Sequence, residues 1–193
     1  MTMNNEINVI NKDKLKEGDI IFISIPRFLY RAIEKGTKSQ TSHVGILLKE
    51  NDQWLVAESK VPVSRLTPLE DFISRSNNSW FAIRRFNEDL SQEQIKDLKK
   101  ACQLRYGVLY DFSFNFHSTK LFCSKFVYEV FKEACNIDVG VLESFKTLIN
   151  KNPKALTVFW KLWFLGFVPY GKLTVTPQSQ LTDKNLKEVI AHV

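Results

Sequence analysis

No stretch of this chain is long and apolar enough to cross a membrane. The most hydrophobic segment, residues 155–168, is broken by Lys161 and stopped by Pro169, short of the about 20 apolar residues a bilayer span needs. Glycine is scarce, with 7 residues, and never gathers into the loop that cradles phosphates, which argues against a nucleotide enzyme. The 3 cysteines, Cys102, Cys123 and Cys135, form no Cys-x-x-Cys pair and cannot all join in disulfides. Neither they nor the histidines have zinc-site spacing, so no metal and no cofactor is expected. No apolar leader follows Met1, and a reducing, cytoplasmic setting without signal peptide or transmembrane helix is the expectation. There is no repeat, low-complexity tract or linker, so residues 1–193 read as one domain with a polar arm over residues 1–17. Charge of one sign is never massed: 27 Lys and Arg mix with 21 Asp and Glu. The net +6 is ordinary surface basicity, and nucleic acid is not an expected partner.

What the chain does have is a cysteine at the mouth of an amphipathic helix. Phe126, Val127, Val130, Phe131 and Ala134 recur at helical spacing, while Lys125, Glu129, Lys132 and Glu133 take the other side. Cys123 lies just before that stripe. Free backbone amides and the positive end of the dipole at a helix start stabilise a thiolate and can receive an oxyanion. The plainer reading is a small buried apolar residue.

The order of elements surrounds this helix with strands. Ile20 to Ser24 reads as a buried strand, residues 26–41 as a short helix and loop, and residues 42–59 as a hairpin turning through residues 49–53. If the turn centres on Asn51-Asp52, Leu48 faces Leu55 and Gly45 faces Glu58. His43, Gly45, Val56 and Glu58 then share one face, with His43 and Glu58 as diagonal neighbours and Gly45 leaving the face open. Thr67, Pro68 and Glu70 have the pattern of a helix cap, Trp80 to Phe86 of a strand, and Ser91 with Gln94 of a capping box. That last box opens a helix with Ile95, Leu98 and Cys102 inward. Residues 141–150 read as a helix and the tail from Val189 as an edge strand. The segment from Val158 to Phe167 reads as a core or pocket-lining helix, or as a peripheral membrane contact through Trp160 and Trp163.

A thiol nucleophile needs a base, and the base needs a third group to fix its tautomer. Cys123, His43 and Glu58 supply such a set. His117 lies in loop with nothing to fix its distance from Cys123, and His192 lies at the terminus.

These residues also carry a resemblance. Gly18-Asp19-Ile20-Ile21, Ser42-His43-Val44-Gly45-Ile46, Val56-Ala57-Glu58-Ser59, Tyr110-Asp111 and Phe122 to Val127 resemble the permuted papain-like hydrolases of the YiiX/YebB type, relatives of the NlpC peptidases and of lecithin:retinol acyltransferase. The late stretches Thr157 to Pro169 and Thr174 to Pro177 are most similar to the YebB branch. The resemblance implies an α+β, circularly permuted papain-like (NlpC-type) fold: an antiparallel sheet packed against helices, with the nucleophile at a helix N-terminus. It implies Cys123 as nucleophile, His43 as general base and acid, and Glu58 as the group orienting His43. Tyr110 would steady the oxyanion or substrate, or be an ordinary half-buried aromatic, and Ser124 would offer its backbone amide. The expected activity is a cysteine hydrolase, amidase or thioesterase-like, or an acyltransferase, working through a thioester. The apolar late segment makes a lipid or N-acyl substrate plausible, with a peptide amide or ester also open. The alternative is a non-catalytic lipid- or acyl-binding module on the same fold.

Overall fold

In β1 (Ile20–Ile23) and β2 (His43–Glu50) almost every residue is buried, which marks strands covered on both faces. The computed structural model describes residues 10–153 and 160–191. Among these, β3 (Gln53–Glu58), β4 (Arg65–Pro68), β5 (Phe81–Phe86) and a late strand (Leu186–Ala191) join β1 and β2 in a six-stranded sheet. Its order is β4-β3-β2-β1-β5 followed by the late strand, and every neighbouring pair is antiparallel. The late strand pairs with β5 at the sheet edge, as the tail pattern suggests, beginning earlier than Val189. His192 lies outside the described residues.

The hairpin turns at Asn51 and Asp52, with φ of 47° and 61°. A two-residue turn needs left-handed backbone to match the strand twist, and Asn and Asp tolerate it. Leu48 therefore pairs with Leu55 and Ile46 with Ala57, the expected register.

Two cores follow from the alternation. Ile20, Phe22, Val44, Ile46, Leu48 and Ala57 face α3 (Gln92–Gln103) and α4 (Cys123–Cys135). Ile21, Ile23, Leu47, Val56 and Ile83 face α2 (Leu69–Ser74), through Leu69, Phe72 and Ile73. Leu15, in the arm read as polar, is buried in this second core. His43 and Gly45 alternate with Leu47 and so belong to the second face. That face is not open at Gly45, however: a Cβ there would meet Val56 Cγ1 at 2.4 Å and Ala57 O at 3.0 Å, with a Phe72 ring carbon at 3.4 Å.

Helix starts follow local chemistry in three places. The Ser91–Gln94 capping box opens α3, Ser144 caps α5 (Phe145–Lys151), and Thr176 caps α6 (Pro177–Leu181) with proline in the first turn. A short strand, Glu143–Ser144, takes the start of the helix expected over residues 141–150. The cap expected at Thr67 does not form. Thr67 and Pro68 end β4, α2 starts at Leu69 without a side-chain cap, and the Thr67 hydroxyl bonds Glu58 instead.

Gly45→Ala puts a methyl group where Val56 and backbone already sit, so urea unfolding should show a loss of about 1–3 kcal/mol. A loss within error of zero would contradict the packing described.

Candidate active site

Glu58 and His43 have no side-chain exposure, and His43 Nε2 lies 2.5 Å from Glu58 Oε2. A buried carboxylate needs donors on all sides. Thr67 Oγ1 donates to Oε1 at 2.6 Å, and Arg75 Nη2 reaches both oxygens at 2.8 and 2.9 Å. The Arg75 guanidinium also lies 4.8 Å over the Phe72 ring. Burial pushes the Glu58 pKa up, but His43, Arg75 and Thr67 outweigh it and hold the carboxyl at about 2. The imidazole sits between the rings of Phe72, at 5.6 Å, and Tyr30, edge-on at 6.0 Å.

The second ring nitrogen, Nδ1, is buried and bonded to no oxygen or nitrogen, which leaves it for the thiol. Burial alone would lower the His43 pKa; the adjacent Cys123 and then Glu58 reverse this and raise it to about 9. Cys123 arrives from the other side of the sheet. The body of α4 packs on Val44, Ile46 and Ala57 through Phe126, Val127 and Val130. His43 is the first residue of β2 and Cys123 the first of α4, so the thiol reaches the ring at the end of the strand. The amides at the start of α4 receive no side-chain cap from the preceding residue, Phe122.

Short backbone bonds hold this junction. Leu121 N donates to Leu109 O at 3.0 Å, Asp111 N to Leu121 O at 2.8 Å, and Tyr110 N to Pro62 O at 2.9 Å. The buried Asp111 accepts from Ser113 and Asn115 and closes the following loop. Tyr110 thereby lines an apolar cleft beside Cys123 with Ile33, Phe114, Phe145, Leu148 and Trp160, holding about 40 Å³ of solvent space. Burial, then Cys123, raises the Tyr110 pKa well above the usual value, so its hydroxyl stays protonated. The same two causes push Tyr30 up to about 12.

The structure thus brings Cys123, His43, Glu58 and Tyr110 together. Ser124 adjoins them, but its hydroxyl is turned away and donates to Val175 O at 2.7 Å. His117 is exposed beside Phe116, and Cys102 is fully buried in the first core. Sequence reasoning missed Tyr30, Thr67 and Arg75. Of the late segment, Val158 and Phe159 lie outside the described residues. Trp160 is 6% exposed and packs into the cleft wall, whereas Leu162, Leu165 and Phe167 are 71%, 86% and 87% exposed. No helix among the described residues is long and apolar enough to cross a membrane.

A family model described as permuted papain-like amidase enzyme, YaeF/YiiX, C92 family, matches residues 14–190. The chain belongs to this family. The uncharacterized protein YiiX of Escherichia coli K12 is 29% identical over 172 residues, covering 89% of this chain and 84% of YiiX. The crystal structure of the metalloprotein YiiX from Escherichia coli O157:H7 superposes with a TM-score of 0.86 at 28% identity, over 93% of this chain and 98% of that one. These likenesses establish the YaeF/YiiX family and bear on no finer branch. That relative is described as a metalloprotein; the donors here do not fit a bound ion. Both Glu58 oxygens and His43 Nε2 are engaged with one another, Thr67 and Arg75. Among the described residues no three His, Cys, Asp or Glu side chains group as ligands.

The two charged partners set a stability window. His43, raised from 6.5 to about 9, contributes fully below pH 6.5 and loses its contribution as pH rises through about 9. Glu58, lowered from 4.5 to about 2, contributes above pH 4.5 and loses it as pH falls through about 2. The His43 ring protons should therefore titrate by NMR near pH 9, and at lower pH in Glu58→Gln. A wild-type midpoint at or below the ordinary 6.5 would sink this electrostatic reading.

Proposed function

We propose that the protein is a cysteine amidase in which Cys123 attacks the carbonyl of an N-acyl substrate, His43 moves the proton and Glu58 orients His43. The observation that carries the reading is the pairing of a buried, Glu58-bonded imidazole with a cysteine at an uncapped helix start. Cys123 gives its proton to His43 Nδ1, and Sγ forms a bond to the acyl carbon. The oxyanion is received by the Cys123 and Ser124 amides, with the Tyr110 hydroxyl as a further donor from the cleft wall. As the tetrahedral species collapses, the C–N bond breaks and His43 protonates the leaving amine. Water then attacks the thioester, passes a proton to His43, and releases a carboxylic acid and the thiol. Glu58 stays ionised throughout, since its hydrogen bonds to His43, Thr67 and Arg75 stabilise the anion. The aromatic cleft next to Sγ favours an apolar acyl chain over a charged one.

Cys123→Ala should abolish hydrolysis of a short-chain N-acyl amide, and His43→Ala should cut kcat by about 10²–10⁴-fold. In mildly acidic buffer Cys123 should outpace glutathione in reaction with iodoacetamide and lose that advantage in His43→Ala. A Cys123 no faster than glutathione, or indifferent to His43, would overturn the mechanism.

A further inference from the structure

Helix α1 (Phe28–Thr37) runs past the site and changes character along its length. Ile33 and Thr37 line the apolar cleft with Cys123, and the Tyr30 ring meets His43. Arg27 caps the start of the helix, about 9 Å along the axis from Ile33 at the usual rise per residue. The first turn has no acidic residue and no side-chain cap, so its positive end is uncompensated.

Other cations flank the His43–Glu58 pair. Ser59 donates its hydroxyl to Leu121 O at 3.0 Å, two residues before Cys123, so Lys60 leaves the sheet beside the segment that delivers the thiol. Arg65 is the cross-strand partner of Glu58 and shares its face. Arg75 is bonded to Glu58 itself. The carboxylate these cations share is thus spent on His43, Thr67 and Arg75. Arg27, Lys60 and Arg65 have no ion-pair partner among the described residues. Partial burial and then Arg75, with Arg65 and Arg27 adding to it, hold the Lys60 pKa below the lysine range against an opposing effect of Glu58. Like charges held near one another create a field that an incoming anion relieves.

We propose that Lys60 and Arg27 form a carboxylate-binding rim, so that the substrate is an N-acyl amide whose amine side carries a carboxylate, as in an N-acyl amino acid. The proposal rests on Cys123 as the nucleophile. The first carbons of the acyl group lie in the apolar cleft and the amine side points to the start of α1. Sγ bonds to the acyl carbon, the C–N bond breaks, His43 protonates the departing nitrogen, and the amino acid leaves with its carboxylate on the rim. Water completes hydrolysis as above.

Two alkylating agents of nearly equal size separate this proposal from the one beneath it. Iodoacetate carries a carboxylate one carbon from the reacting carbon; iodoacetamide is neutral. Rates are read at the Cys123 peptide by mass spectrometry, and the iodoacetate-to-iodoacetamide ratio is compared with that of glutathione. The ratio should exceed glutathione's, fall with salt, and drop by about fivefold in Arg27→Met/Lys60→Met, as two lost charges near the reacting atoms dictate. The iodoacetamide rate should hold in the variant, which shows the site intact. Normal iodoacetamide reactivity with an unchanged ratio would overturn the rim alone. A Cys123 inert to both reagents would overturn the nucleophile assignment and the rim with it.

Discussion

A carboxylate with no solvent exposure must be matched by charge and hydrogen bonds from its surroundings, and Glu58 imposes that demand on half of the fold. The hairpin register puts His43 on its face, β4 brings Thr67, and the end of α2 brings Arg75. Removing one of these partners would leave charge buried and uncompensated, a cost of about 3–5 kcal/mol in comparable cases. Such a cluster tolerates few arrangements. Its rigidity fixes the imidazole with Nε2 committed and Nδ1 free, and a base must be held in that way before it can take a proton in one direction.

The thiol is positioned by a separate set of contacts. Helix α4 packs on the sheet face opposite to His43 and presents only its first residue past the strand end. His43 and Cys123 are thus held on opposite faces of the sheet, and the sheet end is where they meet. This arrangement is indifferent to chain order. The strands carrying His43 and Glu58 come first in the sequence and the helix carrying Cys123 later, yet the contact is made by β2 and α4 wherever the chain is cut.

Where signals were local, the sequence was legible. Asn51 and Asp52 tolerate the backbone a two-residue turn requires, so the hairpin register and the shared face of His43 and Glu58 follow from them. The apolar stripe after Cys123 places it at the helix start. Arg75 was not legible: it meets Glu58 from 17 residues downstream, and no periodicity links a helix end to a strand end. Thr67 was misread because Thr-Pro-Leu-Glu satisfies the capping pattern, while a buried acid competes for the same hydroxyl. Gly45 seemed to open the face, but Phe72 and Val56 fill the space its missing side chain leaves. Nor did the pattern reveal which face α4 covers, since β2 is apolar on both sides.

Charge balance ties His43 and Cys123 to their surroundings. With the proton on His43, the imidazolium and Arg75 face the Glu58 carboxylate and the thiolate, and the four charges cancel. In the proposed reaction, attack would move the thiolate's charge onto the substrate oxygen, and the imidazolium would then give up its proton. The cluster gains no net charge at any point. It therefore need not reorganise during the reaction, which is the condition under which fixed dipoles lower a barrier most. Cations beyond this neutral set act on what comes in from solvent, whereas the aromatic wall around Phe114, Phe145 and Trp160 attracts whatever is least hydrated. On the proposed reading, a molecule that satisfies both is amphiphilic, with its polar and apolar parts joined at the bond that Cys123 would attack.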